Sequence, residues 1–223
     1  MKKIWKFVPV INASLIGAMW AGCHFASNAK DQVDNMAWAS RPDTMFSLND
    51  FASMFGHAGA LHFSMNVVLL LLYGLVAEYL LGKMRYLAMV AGVMLSWLTI
   101  TELFTDSFSI GASGWISAIP GVMLYASARY VDKVHEESLS AMTIPMGLYL
   151  MSFMLTLTDI VLMNENTGID HAGHLIGAGI GGAAVLAAFP FFWRMAKRSL
   201  QQIRFNSLAR RRDKEIERRM YGW

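Results

Sequence analysis

A chain of 223 residues that is 55% hydrophobic and only 16% charged, with a mean hydropathy of +0.39, does not have the composition of a soluble domain. Its formal net charge of +3 does not indicate nucleic acid, because most Lys and Arg sit in short clusters between or after apolar runs, where they encode membrane topology. The single cysteine, Cys23, excludes an internal disulfide and any multi-cysteine metal site.

Several apolar stretches approach the roughly 20 residues that cross a bilayer as a helix. The first spans about Phe7 to Ala26, behind Lys2, Lys3 and Lys6. It is long enough to span and lacks a clear cleavage site, so no cleavable signal peptide is expected. A mixed polar and aromatic connection follows, with Asp31, Asp34, Arg41, Asp43 and Asp50 among Trp38, Met45, Phe46, Phe51 and Met54. The second span runs from near His57 to Leu81 and ends in Gly82-Lys83-Met84-Arg85, where Glu78 is expected to pair with Arg85 or a nearby loop. The third covers about Tyr86 to Phe104 and closes on the turn Thr105-Asp106-Ser107.

The fourth span starts at Gly111 and reaches about Tyr130, with Pro120 expected to kink it. The charged segment Arg129 to Ser138 reads as a loop. The fifth span is about Met142 to Met163, the turn Asn164 to Gly168 follows, and the sixth is about Ala172 to Phe192. From Arg194 the chain becomes a basic tail, read as a topology anchor and anionic-lipid contact. These elements predict an all-α polytopic membrane protein: one six-transmembrane-helix bundle over residues 1–193 and a basic cytoplasmic tail over 194–223.

On this reading 17 of the 19 Lys and Arg fall on one side, with only Lys30 and Arg41 opposite. The positive-inside rule then makes both termini cytoplasmic, which requires an even number of spans.

Spans two, four and six therefore all run inward, and each opens with polar residues. Ser113, flanked by Gly111 and Gly114 where the chain enters a helix, has its hydroxyl beside unpaired backbone N–H groups. That place suits a nucleophile whose reaction creates an oxyanion, although Gly-x-Ser-Gly also serves for close helix packing. His174 is followed at helical spacing by Gly177 and Gly181, which admit a neighbouring helix; if that helix is the fourth, His174 reaches Ser113. His–Ser is the minimum for nucleophilic catalysis. His62 and Asn66 share one face of span two and both donate hydrogen bonds, as an oxyanion requires; holding span two to its neighbours is the plainer role.

His57 reads as a loop-structuring group, and His24 and His135 as structural or solvent-facing. Asp170 and His171 offer a metal pair with His174, but no third ligand is evident, so no metal is expected. Glu102 and Asp159 lie near the outer ends of spans three and five, and Asp159 has no obvious partner for an aspartyl mechanism. A His-Glu-x-x-His zinc motif is absent.

Together these residues resemble the rhomboid family of intramembrane serine proteases. The resemblance rests on His57-x4-His62-x3-Asn66, Glu78-x3-Gly82, Gly111-x-Ser113-Gly114 and His174-x2-Gly177-x3-Gly181, in the family's order over about Gly56 to Phe192. It implies a Ser113–His174 dyad without an acidic third member, and an oxyanion site made by the Ser113 N–H with His62 and Asn66. It also implies no cofactor, and single-pass membrane proteins as substrates, cut near the outer end of a transmembrane helix. The chain departs from the family at Ser117, where a tyrosine often packs on the catalytic histidine; Trp115 is the candidate to replace that packing. The long first loop also lacks an evident Trp-Arg pair. The alternative reading is a non-catalytic relative that binds and escorts membrane helices. A small transporter would show inverted repeats, and none is seen. Short loops and no appended soluble domain favour a bacterial plasma membrane.

Overall fold

The computed structural model describes residues 8–27, 46–57, 59–104, 110–134, 140–162 and 171–222. The leader lysines, the first-loop residues 28–45 including Trp38, the turns at 105–107 and 164–168, His135 and Asp170 lie outside the described residues.

Among the described residues there are seven helices and no strand: α1 (Val10–Ser27), α2 (Leu48–Ser53), α3 (Ala60–Leu81), α4 (Lys83–Phe104), α5 (Ser113–Val134), α6 (Ser140–Leu162) and α7 (His171–Tyr221). Four of them (α3, α4, residues 142–162 of α6, and α7) are long and apolar enough to cross a membrane. α1 and α5 are not in that set. For α5 the reason is its position: Ala112, Trp115, Ile116, Ala118, Ile119, Met123 and Leu124 on or beside it are all 0% exposed. It packs against α3, α4, α6 and α7. A helix wrapped by other helices meets protein on every side and does not need a lipid-facing apolar surface.

Small residues set the closest approach. A Cβ at Gly177 of α7 would collide with the Gly114 carbonyl of α5, and one at Gly121 would collide with Gly181. Ridges of ordinary side chains cannot interlock at this separation, so glycine is required on both faces.

Three expectations change. α5 continues through Arg129 to Val134, so the charged segment begins as helix. Its last turn is held there by Asp132, whose carboxylate takes Arg194 at 2.7 Å and Arg198 at 3.1 Å, both from α7. α7 likewise runs unbroken past Phe192 to Tyr221, carrying the basic tail as helix. Glu78 does not turn to Arg85: its two oxygens accept the N–H groups of Ile11 at 3.1 Å and Asn12 at 2.8 Å. Those are first-turn donors of α1, which have no acceptor within their own helix. Asn12 in turn accepts from the Tyr86 hydroxyl at 3.0 Å, and so α1, α3 and α4 meet in one buried polar knot. α5 runs through Pro120 as one unbroken helix.

Candidate active site

The starts of α3, α5 and α7 carry the polar residues His62 and Asn66, Ser113, and His174. Ser113 is the first residue of α5, and the Ile116 N–H already bonds the Ala112 carbonyl at 3.0 Å. The Ser113 N–H therefore belongs to the set that a helix start leaves without an intrahelical acceptor, at the positive end of the helix dipole. Ser113 Oγ lies 2.7 Å from His174 Nε2, across the α5–α7 contact that Gly114 and Gly177 permit. The His174 side chain is 18% exposed, so the pair is sheltered without being sealed off.

Gly111 precedes this turn with φ of 124°, a left-handed backbone that favours glycine. Its N–H donates to the Ser53 carbonyl at 2.8 Å. A Cβ here would stand 2.6 Å from His62 Cε1, so the imidazole of His62 lies directly over Gly111, two residues before Ser113. Asn66, one turn further along α3, is 1% exposed, and its Nδ2 finds no hydrogen-bond acceptor. An unpaired buried amide donor is costly, and this one belongs to the same helix face as His62.

His57 is fixed beside His62. Its Nδ1 meets the Phe55 carbonyl at 3.0 Å, and its ring packs edge-on to His62 and Phe63 at 5.1 and 5.5 Å. Burial, and secondarily the neighbouring His62, lower its pKa to about 4, so it stays neutral at physiological pH. His24, by contrast, is exposed and stacked on Trp20.

Behind His174 stands Asp159. Asp159 Oδ1 lies 3.0 Å from His174 Nδ1 and 2.7 Å from His171 Nδ1. The expectation of a histidine without an acidic neighbour is corrected by this contact. The same three side chains offer ligand atoms within 4.8 Å of one another, so the missing third ligand of a metal site is also present in principle. Their short Nδ1-to-carboxylate distances, however, are those of direct hydrogen bonds, which satisfy the cluster internally.

Residues 47–191 match the Rhomboid domain. The chain belongs to the rhomboid family. It is an integral membrane protein, and the family consists generally of serine intramembrane proteases that act on membrane-protein substrates within the bilayer, with non-catalytic members among them. No curated protein matches the chain significantly.

Three further features of this rhomboid are not predicted by its motifs. The Trp97 indole of α4 donates to the Gly173 carbonyl at 2.8 Å, and a Cβ at Gly114 would collide with the same ring. Trp97 thereby fixes both the Ser113 turn and the start of α7. Trp115, expected beside His174, instead donates its indole N–H to the Met54 carbonyl at 3.4 Å and clamps α5 to the segment after α2. Ser117, at the position of the missing tyrosine, donates its hydroxyl back to the Ser113 carbonyl at 2.8 Å.

Proposed function

We propose that this rhomboid is an intramembrane serine endopeptidase using Ser113 and His174, with His62, Asn66 and the Ser113 N–H as oxyanion donors. The observation that carries this reading is the 2.7 Å contact between Ser113 Oγ and His174 Nε2 at the start of a buried helix. Ser113 Oγ attacks the scissile carbonyl carbon while His174 Nε2 takes the hydroxyl proton. The carbonyl oxygen becomes the oxyanion, and donors already in place stabilise it without reorganising. The C–N bond then breaks as His174 returns its proton to the leaving amine. Water repeats the sequence on the acyl ester: His174 takes a water proton, hydroxide adds, and Ser113 leaves with the proton restored. No cofactor enters.

We further read six spans, with α1 and α5 crossing beside the four strongly apolar helices, and both termini cytoplasmic. The charge distribution supports this orientation, since 17 of 19 Lys and Arg then lie on the inner side. Ser113, His62 and His174 fall a little below the outer face, where a transmembrane helix can be cut near its outer end. Single-pass proteins with small or helix-weakening residues there are the expected substrates, and the short loops fit a bacterial plasma membrane.

The test is cleavage of a single-pass substrate by purified protein in liposomes, with the new termini sequenced. Cleavage within the membrane segment, lost in Ser113→Ala, is expected. Binding of the same helix without any cleavage would replace this reading with the non-catalytic escort.

A further inference from the structure

We propose that Asp159 is a positioning residue for His174, and that His171 holds Asp159 in place, so that a carboxylate from α6 and a second histidine complete the Ser113–His174 pair. The inference rests on the protease reading for its kinetic consequence but not for its structural one.

A carboxylate is an acceptor only, and a neutral imidazole carries one N–H. Asp159 Oδ1 faces Nδ1 of both His171 and His174, at 2.7 and 3.0 Å. Both histidines must therefore place their proton on Nδ1, since the other tautomer would set a ring lone pair against the carboxylate. For His174 this leaves Nε2 as a lone pair, and Nε2 is the atom 2.7 Å from Ser113 Oγ. The carboxylate thus selects the one tautomer in which the hydroxyl can donate to the ring. It also lies where an imidazolium formed during attack gains an opposite charge.

His171 does not touch Ser113's hydroxyl in this arrangement. It sits one helical turn before His174 on α7, its side chain is only 5% exposed, and its ring is edge-on to His174 at 6.3 Å. A second donor on the same oxygen restrains the carboxylate, which is itself 16% exposed and would otherwise have freedom to rotate toward water. A metal ion held by these three side chains would occupy His174 Nδ1, leave the proton on Nε2 and disable the base, which is the opposite outcome.

The experiment uses the full chain in detergent micelles with 15N-labelled histidine, together with turnover measured in liposomes. In the wild type, His174 and His171 are expected to show protonated Nδ1 and unprotonated Nε2. Asp159→Asn is expected to shift His174 toward the other tautomer and to lower kcat by about 10²- to 10⁴-fold with KM little changed. Asp159→Glu should recover part of that loss, and His171→Gln should lower kcat about tenfold. A His174 with its proton on Nε2 in the wild type overturns the proposal without needing any variant to fold. So does an Asp159→Asn protein that turns over within about twofold of wild type. If the wild type shows the expected tautomer but cuts no substrate, the protease reading fails and the positioning of His174 stands.

Discussion

Ser113 Oγ and His174 Nε2 lie 2.7 Å apart although 61 positions separate them, and a glycine-to-glycine contact between α5 and α7 holds them there. A Cβ at Gly177 would drive into the Gly114 carbonyl, one residue from Ser113. Substituting Gly177→Ala is expected to force the two helices apart, destabilise the protein by about 1–3 kcal/mol and abolish most turnover. Gly179→Ala, on the same helix but with nothing within 4 Å, is the control and should leave both unchanged. Thermal unfolding in detergent and liposome turnover, measured side by side, check the pair.

Asn66 and His62 are the proposed oxyanion donors. Asn66 has a buried amide nitrogen without an acceptor, and His62 lies over Gly111. Asn66→Ala and His62→Ala are each expected to lower kcat by about 10²- to 10³-fold, the range for removing one such donor. Covalent labelling of Ser113 should slow without disappearing. Loss of KM alone would assign these residues to substrate binding.

α1 is tied to the bundle by a side chain from another helix. Glu78 is 1% exposed and caps the Ile11 and Asn12 N–H groups, the first-turn donors of α1. Glu78→Ala leaves two donors and the Asn12–Tyr86 contact unsupported, at a cost of about 2–4 kcal/mol. The measurement is protection of α1 amides against hydrogen exchange, which should fall selectively while the Ser113–His174 region stays protected.

Acid should weaken the fold through His57. Its pKa is lowered to about 4 by burial and by His62, against an ordinary value near 6.5. Between those values the unfolded chain binds a proton that the folded chain does not, so stability rises with pH across that window and is lost as pH falls through it. Unfolding temperature followed from pH 7 to about 4 should drop, and the drop should be shallower in His57→Gln.

Much of the bundle is legible in the sequence because lipid demands long apolar helices: α3, α4 and α6 begin and end within a few residues of the predicted spans, and α7 begins within one residue of its own but runs on to Tyr221. The exceptions have physical causes. Arg129 reads as loop on its charge, yet α5 continues because Asp132 is neutralised by Arg194 and Arg198 from α7, a pairing no local pattern reveals. Glu78 is visible as a buried acid, but its acceptors are backbone groups of α1, which sequence does not advertise. Trp115 lies two residues from Ser113, the partner of His174, which invites a contact with that ring, and its indole N–H goes instead to Met54. Ser113, His174, His62 and Asn66 stand out because polar residues opening apolar runs are few. Asp159 lies near the end of an apolar run rather than at its opening, and its place beside His171 and His174 depends on how α6 packs against α7, which no local pattern reveals.

If His174 makes Ser113 a nucleophile, as proposed, labelling with a fluorescent fluorophosphonate shows it most directly. Purified wild-type protein should label, peptide mass mapping should place the adduct on Ser113, and both Ser113→Ala and His174→Ala should stay dark while remaining folded. A folded wild type that neither labels nor cuts a helical membrane substrate, or an adduct that persists undiminished in His174→Ala, would contradict the account.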